Sequence, residues 1–336
     1  MLKHVIADID GAEVVATAAD GQEAVEKIAQ LQPDLVMLDV QMPKLDGLGV
    51  LRELRRRSLQ PLVVVVSSLT ARGAPETVEA LLHGAIDCVL KPAGREPHLA
   101  RDELRQALQA RVAAILATRE IPLPVRTADR QPPGPPPQLS GSGDCIAIGA
   151  STGGPEALRK VLVHLPASLA VPVFIVQHMP AAFTKSLARR LDEIAPLPVH
   201  LAATDIVAKP GHAYLAAGGS HLTVVRRDHG VVCKLTQTPP RHGCRPSLDV
   251  LLESLVDVYD DRIVAAVLTG MGCDGLAGCR AVKAGGGTVI AQDRESCTVY
   301  GMPKAVIEAG LADLVLPLEA IGEVLVGNKF RRSTLA

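Results

Sequence analysis

The chain has 336 residues, 48% apolar and 21% charged, with 35 basic against 36 acidic side chains. That length suits two domains of ordinary size, and that apolar share supplies a core for each, which excludes a globally disordered chain. A formal charge of −1, no Trp, three Tyr and three Phe give neither a pull toward nucleic acid nor a base-stacking surface.

The opening residues, MLKHVIADID, carry acids where a secretory leader needs an apolar run, and apolar runs such as 62–66 are too short for a membrane span. The expected location is the cytoplasm, with no membrane insertion and no nucleic-acid partner. Seven scattered cysteines without a C-x-x-C pair fit a reduced protein rather than a disulfide framework, and no His spacing suggests zinc.

From 13 to 117, apolar runs at 13–17, 35–38, 62–66 and 86–90 read as strands. Amphipathic stretches at 21–31, 48–57 and 75–83 read as helices between them. This alternation predicts a parallel sheet covered on both faces. A longer helical pattern follows over 96–117. Between 121 and 143 the chain carries seven prolines and closes on Ser140-Gly141-Ser142-Gly143, the composition of an interdomain spacer.

A second α/β domain then begins. Its predicted strands are 145–148, 171–176, 263–268 and 288–291, and its predicted helices 155–164, 181–194, 248–259, 274–284 and 303–309. The Gly-punctuated stretch 199–236 reads as a small antiparallel insert. The domain boundaries are thus 1–117, a linker over 118–143, and 144–336.

Chemistry-bearing residues gather at strand ends. In the first domain Asp39 follows LVML, Ser67 follows VVVV and Lys91 follows CVL. In open α/β sheets the carboxyl edge is where ligands sit, so a carboxylate, a hydroxyl and an ammonium there form an anion-handling site. Asp39 could accept a phosphoryl group whose charge Lys91 neutralises.

In the second domain three loops stand out. IAIGASTGGP puts Ser151 in a strand-to-helix turn that suits either a nucleophile or a phosphate cradle. VFIVQHMP ends on His178, and VLTGMGCDG carries Asp274. Ser, His and Asp converging at one edge match nucleophilic acyl transfer: Ser151 attacks, His178 takes its proton, and Asp274 holds the imidazole. As alternatives, Asp274 could cap the helix that follows, and Cys273 could be a thiol nucleophile, although no histidine partner is evident for it. The order Ser, His, Asp differs from the α/β-hydrolase order, and a dinucleotide fold needs an acid where Gln177-His178 stand. An ordinary histidine pKa near 6.5 would make activity rise between about pH 6 and 7.5.

Residues 13–116 resemble a two-component receiver domain, with Asp39 at its phosphoacceptor, Ser67 at its switch hydroxyl and Lys91 at its lysine. By that resemblance Mg²⁺ assists phosphorylation, held partly by an acidic pair on the first strand. Asp8 and Asp10 lack the following helix such a pair needs, so 1–9 reads as the tail of the first helix, with that strand and acidic pair absent.

Residues 144–326 resemble the catalytic domain of chemotaxis protein-glutamate methylesterases. GASTGG, QHMP, RPSLD (245–249), GMGCDG and VYGMP (299–303) occur in family order. The resemblance implies a flavodoxin-like receiver joined to a doubly wound, Rossmann-like parallel-sheet domain. It also implies hydrolysis of glutamyl methyl esters and deamidation of glutamines on methyl-accepting chemotaxis receptors, and no cofactor for that catalysis. Phosphorylation by a chemotaxis histidine kinase would move the receiver off the catalytic cleft. An oxyanion hole is required, for which the Met271 and His178 backbone N–H groups are the candidates. Arg241 and Arg245 could meet acidic receptor helices or form a solvated face.

Overall fold

The structure is a computed structural model and describes residues 2–67, 73–91, 97–119 and 143–327. The linker expected over 118–143 lies almost wholly outside the described residues. The chain divides into two compact units, Met1–Glu120 and Ile121–Ala336.

The first unit runs α1 (Leu2–Ala7), α2 (Gly21–Leu31), β1 (Leu35–Asp39), α3 (Gly47–Arg56), β2 (Leu62–Ser67), α4 (Gly73–Leu82), β3 (Asp87–Leu90) and α5 (Pro97–Arg119). Its sheet is parallel in the order β1-β2-β3, with Leu38 beside Val65 and Val65 beside Cys88. Val63 to Val66 are all buried, as a central parallel strand covered on both faces requires. Two aspartates start helices: Asp20 accepts the Glu23 N–H at 3.0 Å for α2, and Asp46 accepts the Gly49 N–H at 2.7 Å for α3. The stretch 13–17, expected as a strand, forms no ladder, because no described strand lies beside it to pair with its backbone.

The second unit runs β4 (Cys145–Ala150), α6 (Gly154–Leu162), β5 (Val173–Gln177), α7 (Ala181–Ile194), β6 (Val199–Leu201), β7 (Ala213–Leu215), β8 (His221–Arg227) and β9 (Gly230–Thr236). It continues through α8 (Leu248–Tyr259), β10 (Ile263–Val267), α9 (Leu276–Ala284), β11 (Thr288–Gln292), α10 (Met302–Glu308), β12 (Leu314–Leu316) and α11 (Leu318–Gly327). Seven strands form one parallel sheet in the order β12-β11-β10-β4-β5-β7-β6. Every residue of β4, β5 and β10 is buried, so the apolar core lies on both faces of the sheet's centre.

The insert over 199–236 is only half antiparallel. β6 and β7 join the main sheet in parallel, and only β8 and β9 pair antiparallel, with Arg227 opposite Gly230. Short runs separated by glycines carry no record of strand direction, which is why the sequence pattern misplaced β6 and β7.

Sheet order fixes where the site falls. From β4 the chain proceeds to β5 on one side, while β10 lies on β4's other side and leads out to β11 and β12. β4 and β10 therefore flank the topological switch point, and a crevice opens outside their carboxyl ends.

Candidate active site

Ser151 follows β4 at that crevice, and its N–H donates to Thr269 O beyond β10 at 3.0 Å. His178 follows β5, and its N–H donates to Ala150 O at 3.0 Å, tying the two loops together. Gln177 is 2% exposed, and its Nε2 donates to Ser151 O (2.8 Å) and to His178 O (3.0 Å). One amide thus holds the backbone of both residues, and Gly154 leaves it room: a Cβ there would lie 1.9 Å from Gln177 Oε1. Gly270 serves the serine in the same way, since a Cβ on it would stand 2.6 Å from Ser151 Cβ. No long-range signal in the sequence identifies the Gln177 clamp.

Asp274 is 2% exposed, and its Oδ2 lies 2.7 Å from His178 Nε2 on a ring that is 10% exposed. A carboxylate only accepts, so Nε2 carries the proton and Nδ1 is the nitrogen left to serve as base. The Ser151 hydroxyl makes no hydrogen bond to His178 in this structure; such bonds commonly tighten only with substrate bound.

Asp274 does cap a helix, but not the one that follows. It accepts from Ser247 Oγ (2.7 Å), Leu248 N (2.7 Å) and Asp249 N (3.1 Å), so it sits on the amino end of α8. α9 opens two residues later than expected, at Leu276, after Gly275 in left-handed backbone (φ +95°).

Burial pushes the Asp274 carboxyl up, but the His178 ring, the Ser247 hydroxyl and the Leu248 N–H together bring it down to about 2. Burial pushes His178 down, and the opposing Asp274 and Cys244 partners outweigh it, raising the imidazole to about 9. The buried pair contributes to both shifts, each charge favouring the other.

In the first unit, Lys91 Nζ is ion-paired with Asp39 Oδ2, and the Lys91 N–H donates to Ser67 O at 2.7 Å. Parallel register brings the three strand ends together, Asp39 opposite Val66 and Ser67 opposite Leu90. The Ser67 hydroxyl is 1% exposed and accepts from Thr77 Oγ1 of α4 at 2.7 Å. Asp8, the nearest thing to an acidic pair in the sequence, is instead bonded to Arg101 of α5 at 2.7 Å. The Asp39 carboxylate is thus already paired with a lysine, and Asp46 and Glu76 line the cavity beside Val40 and Gln41 that follow it. One carboxylate with water and phosphate oxygens is a common way of holding Mg²⁺, and Asp39 would supply that carboxylate here.

The model of the family described as CheB methylesterase matches residues 146–325, and that of the response regulator receiver domain matches residues 1–109. A protein-glutamate methylesterase/protein-glutamine glutaminase of Symbiobacterium thermophilum is 44% identical over 324 residues, covering 93% of this chain and 88% of that one. Its counterpart from Thermotoga maritima is 39% identical over 334 residues, covering 97% and 94%. The chain belongs to the CheB methylesterase family. The crystal structure of the Thermotoga maritima CheB methylesterase catalytic domain superposes with a TM-score of 0.54 at 44% identity, covering 55% of this chain and 98% of that one.

The geometry bears on two expectations for this CheB-family site. The His178 N–H is already given to Ala150 O, which takes it out of the oxyanion hole and leaves Met271, 37% exposed at the crevice, as the candidate. Arg241, read as either a receptor contact or part of a solvated face, has a partner within the chain: its side chain, 36% exposed, pairs with Glu253 (2.6 Å) and approaches Asp249 (3.6 Å).

The raised His178 pKa also moves the expected pH response. His178 must be neutral to take a proton, so kcat/KM should still be climbing above pH 7.5, with its midpoint at about 9. An inflection at or below 6.5, measured on a methyl-ester substrate, would overturn this.

Proposed function

We propose that this chain hydrolyses glutamyl methyl esters on methyl-accepting chemotaxis receptors, releasing methanol, and deamidates receptor glutamines to glutamate. The supporting observation is the buried His178–Asp274 pair standing beside Ser151 at the sheet's switch point. The Symbiobacterium and Thermotoga relatives carry both activities in their names.

In this reading Ser151 Oγ attacks the side-chain carbonyl and gives its proton to His178 Nδ1. The Met271 N–H receives the developing oxyanion. Methoxide leaves with the proton on Nδ1 as methanol, or an amide nitrogen leaves as ammonia. Water then gives a proton to His178 and attacks the acyl-serine, releasing glutamate. Asp274 keeps the proton on Nε2 and stabilises the imidazolium. No resident cofactor is assigned to these steps.

The receiver unit is read as the control element, with Asp39 accepting a phosphoryl group from a chemotaxis histidine kinase and Ser67 and Lys91 answering it. No step is assigned to Mg²⁺. No helix among the described residues is long and apolar enough to cross a membrane, and the proposed location is the cytoplasm.

The test is methanol release from methylated receptor, with and without a small phosphodonor, in the native chain and in Asp39→Asn. Release that the donor stimulates only in the native chain supports both halves. No release in any arm removes the esterase, and equal release in all arms removes the control by Asp39.

A further inference from the structure

A second array of nucleophile, imidazole and carboxylate stands on the far side of Asp274. Cys273 Sγ lies 3.9 Å from His242 Nδ1, and His242 Nε2 lies 3.0 Å from Asp249 Oδ2. The Asp249 side chain is fully buried, while the His242 ring is 42% exposed. Asp249 Oδ1 is held by the Gly278 N–H at 2.6 Å, so its other oxygen is aimed rather than free to turn.

As with His178, an accepting carboxylate puts the proton on Nε2 and leaves the Nδ1 lone pair facing the thiol. The loop that presents the ring is built for it. Arg241 and Cys244 exchange two backbone hydrogen bonds (3.0 and 2.9 Å), and the residues between them turn left-handed, His242 at φ +52° and Gly243 at φ +73°. That is a two-residue turn of the tight hairpin kind, and a histidine is among the side chains that tolerate it.

His242, Asp249 and Asp274 offer ligand atoms within 4.8 Å of one another, the one such cluster among the described residues. Asp274 nevertheless already accepts from Ser247 Oγ and two backbone N–H groups, and Asp249 from the Gly278 N–H, which suits a proton between the carboxylates and the imidazoles rather than a cation.

We propose that Cys273 is a peroxide-reactive thiol, with His242 as its base and Asp249 as the residue that positions the ring. The thiol proton passes to His242 Nδ1, and the sulfur attacks the terminal oxygen of a hydroperoxide. An S–O bond forms as the O–O bond breaks. Sulfur is oxidised by two electrons to the sulfenic acid, and the departing oxygen is reduced and takes the proton from His242, leaving as water or alcohol. Cys273 adjoins Asp274 and lies two residues from Met271, so an added oxygen there disturbs the wall of the triad. That consequence rests on the esterase reading; the thiol's reactivity does not.

The reduced full-length chain is treated with one equivalent of hydrogen peroxide in the presence of a sulfenic-acid trap, and the trapped peptides are identified by mass spectrometry. Cys273 should be trapped ahead of Cys244 and Cys297, the other part-exposed cysteines. His242→Gln, a change at a half-exposed ring, should slow that trapping at least tenfold, while Ser151→Ala leaves it unchanged. Methanol release should fall with peroxide in the native chain and persist in Cys273→Ser. Earlier trapping of Cys244 or Cys297, or an unaltered rate in His242→Gln, would overturn the proposal. Absent methanol release before any peroxide would count against the esterase reading alone.

Discussion

Ser151→Ala abolishes methanol release from methylated receptor, with kcat falling by about 10⁴-fold or more, while the unfolding transition stays within about 0.5 kcal/mol of the native chain. The size follows from the residue's role: removing the nucleophile of a triad removes the acyl-enzyme route, and what survives is binding and oxyanion stabilisation. The neutrality toward folding follows from its surroundings. Ser151 is held through its backbone, by the N–H to Thr269 O and the carbonyl to Gln177 Nε2, and no hydrogen bond from its hydroxyl contributes to the fold. Single-turnover methanol assays and thermal melts on the purified variant check both halves. Native-like turnover would remove Ser151 from the mechanism.

Asp274 differs because one carboxylate does two jobs. Asp274→Asn keeps the shape but removes the charge that holds the proton on His178 Nε2, and an amide can offer a donor where an acceptor is needed; turnover should fall by about 10³–10⁴-fold. Asp274→Ala also strips the amino end of α8 of its cap, leaving Ser247 Oγ, Leu248 N and Asp249 N without their acceptor in a buried site. The expected cost is about 3–5 kcal/mol of stability, read as a lower melting temperature.

The pH window of that cost follows from the two shifts. The Asp274 carboxyl is lowered from 3.8 to about 2, so its share is present above 3.8 and lost as pH falls through about 2. The His178 ring is raised from 6.5 to about 9, so its share is present below 6.5 and lost as pH rises through about 9. The stability gap between native chain and variant should therefore be widest between about pH 4 and 6.5 and narrow toward alkaline pH. A gap that grows above pH 7 would contradict the pairing.

Much of this was legible in the chain because it is local. The run 62–66 is apolar at every position, and such a run can be buried only as a strand covered on both faces. Helices α7 and α8 have the bounds expected of them, since Pro180 before the one and the amphipathic run after Ser247 are signals within a few residues. Pattern failed where partners are remote. The stretch 13–17 has strand-like composition and no neighbouring strand among the described residues, and β6 and β7 are too short for composition to give their direction.

The site divides along the same line. Residue types at strand ends, with their glycines and prolines, singled out Ser151, His178 and Asp274 as well as Asp39, Ser67 and Lys91 from sequence alone, because the chemistry of a turn is written in the few residues that make it. Which of them meet, and by which atoms, depends on strands far apart in the chain. Only the order β10-β4-β5 sets the serine between its partners, and only packing gives His178 Nε2 to Asp274, hands Asp274 the end of α8, and turns His242 toward Cys273. Cys273, without an evident histidine in the sequence, acquires one through a turn some thirty residues away, and a contact at that separation has no local signature.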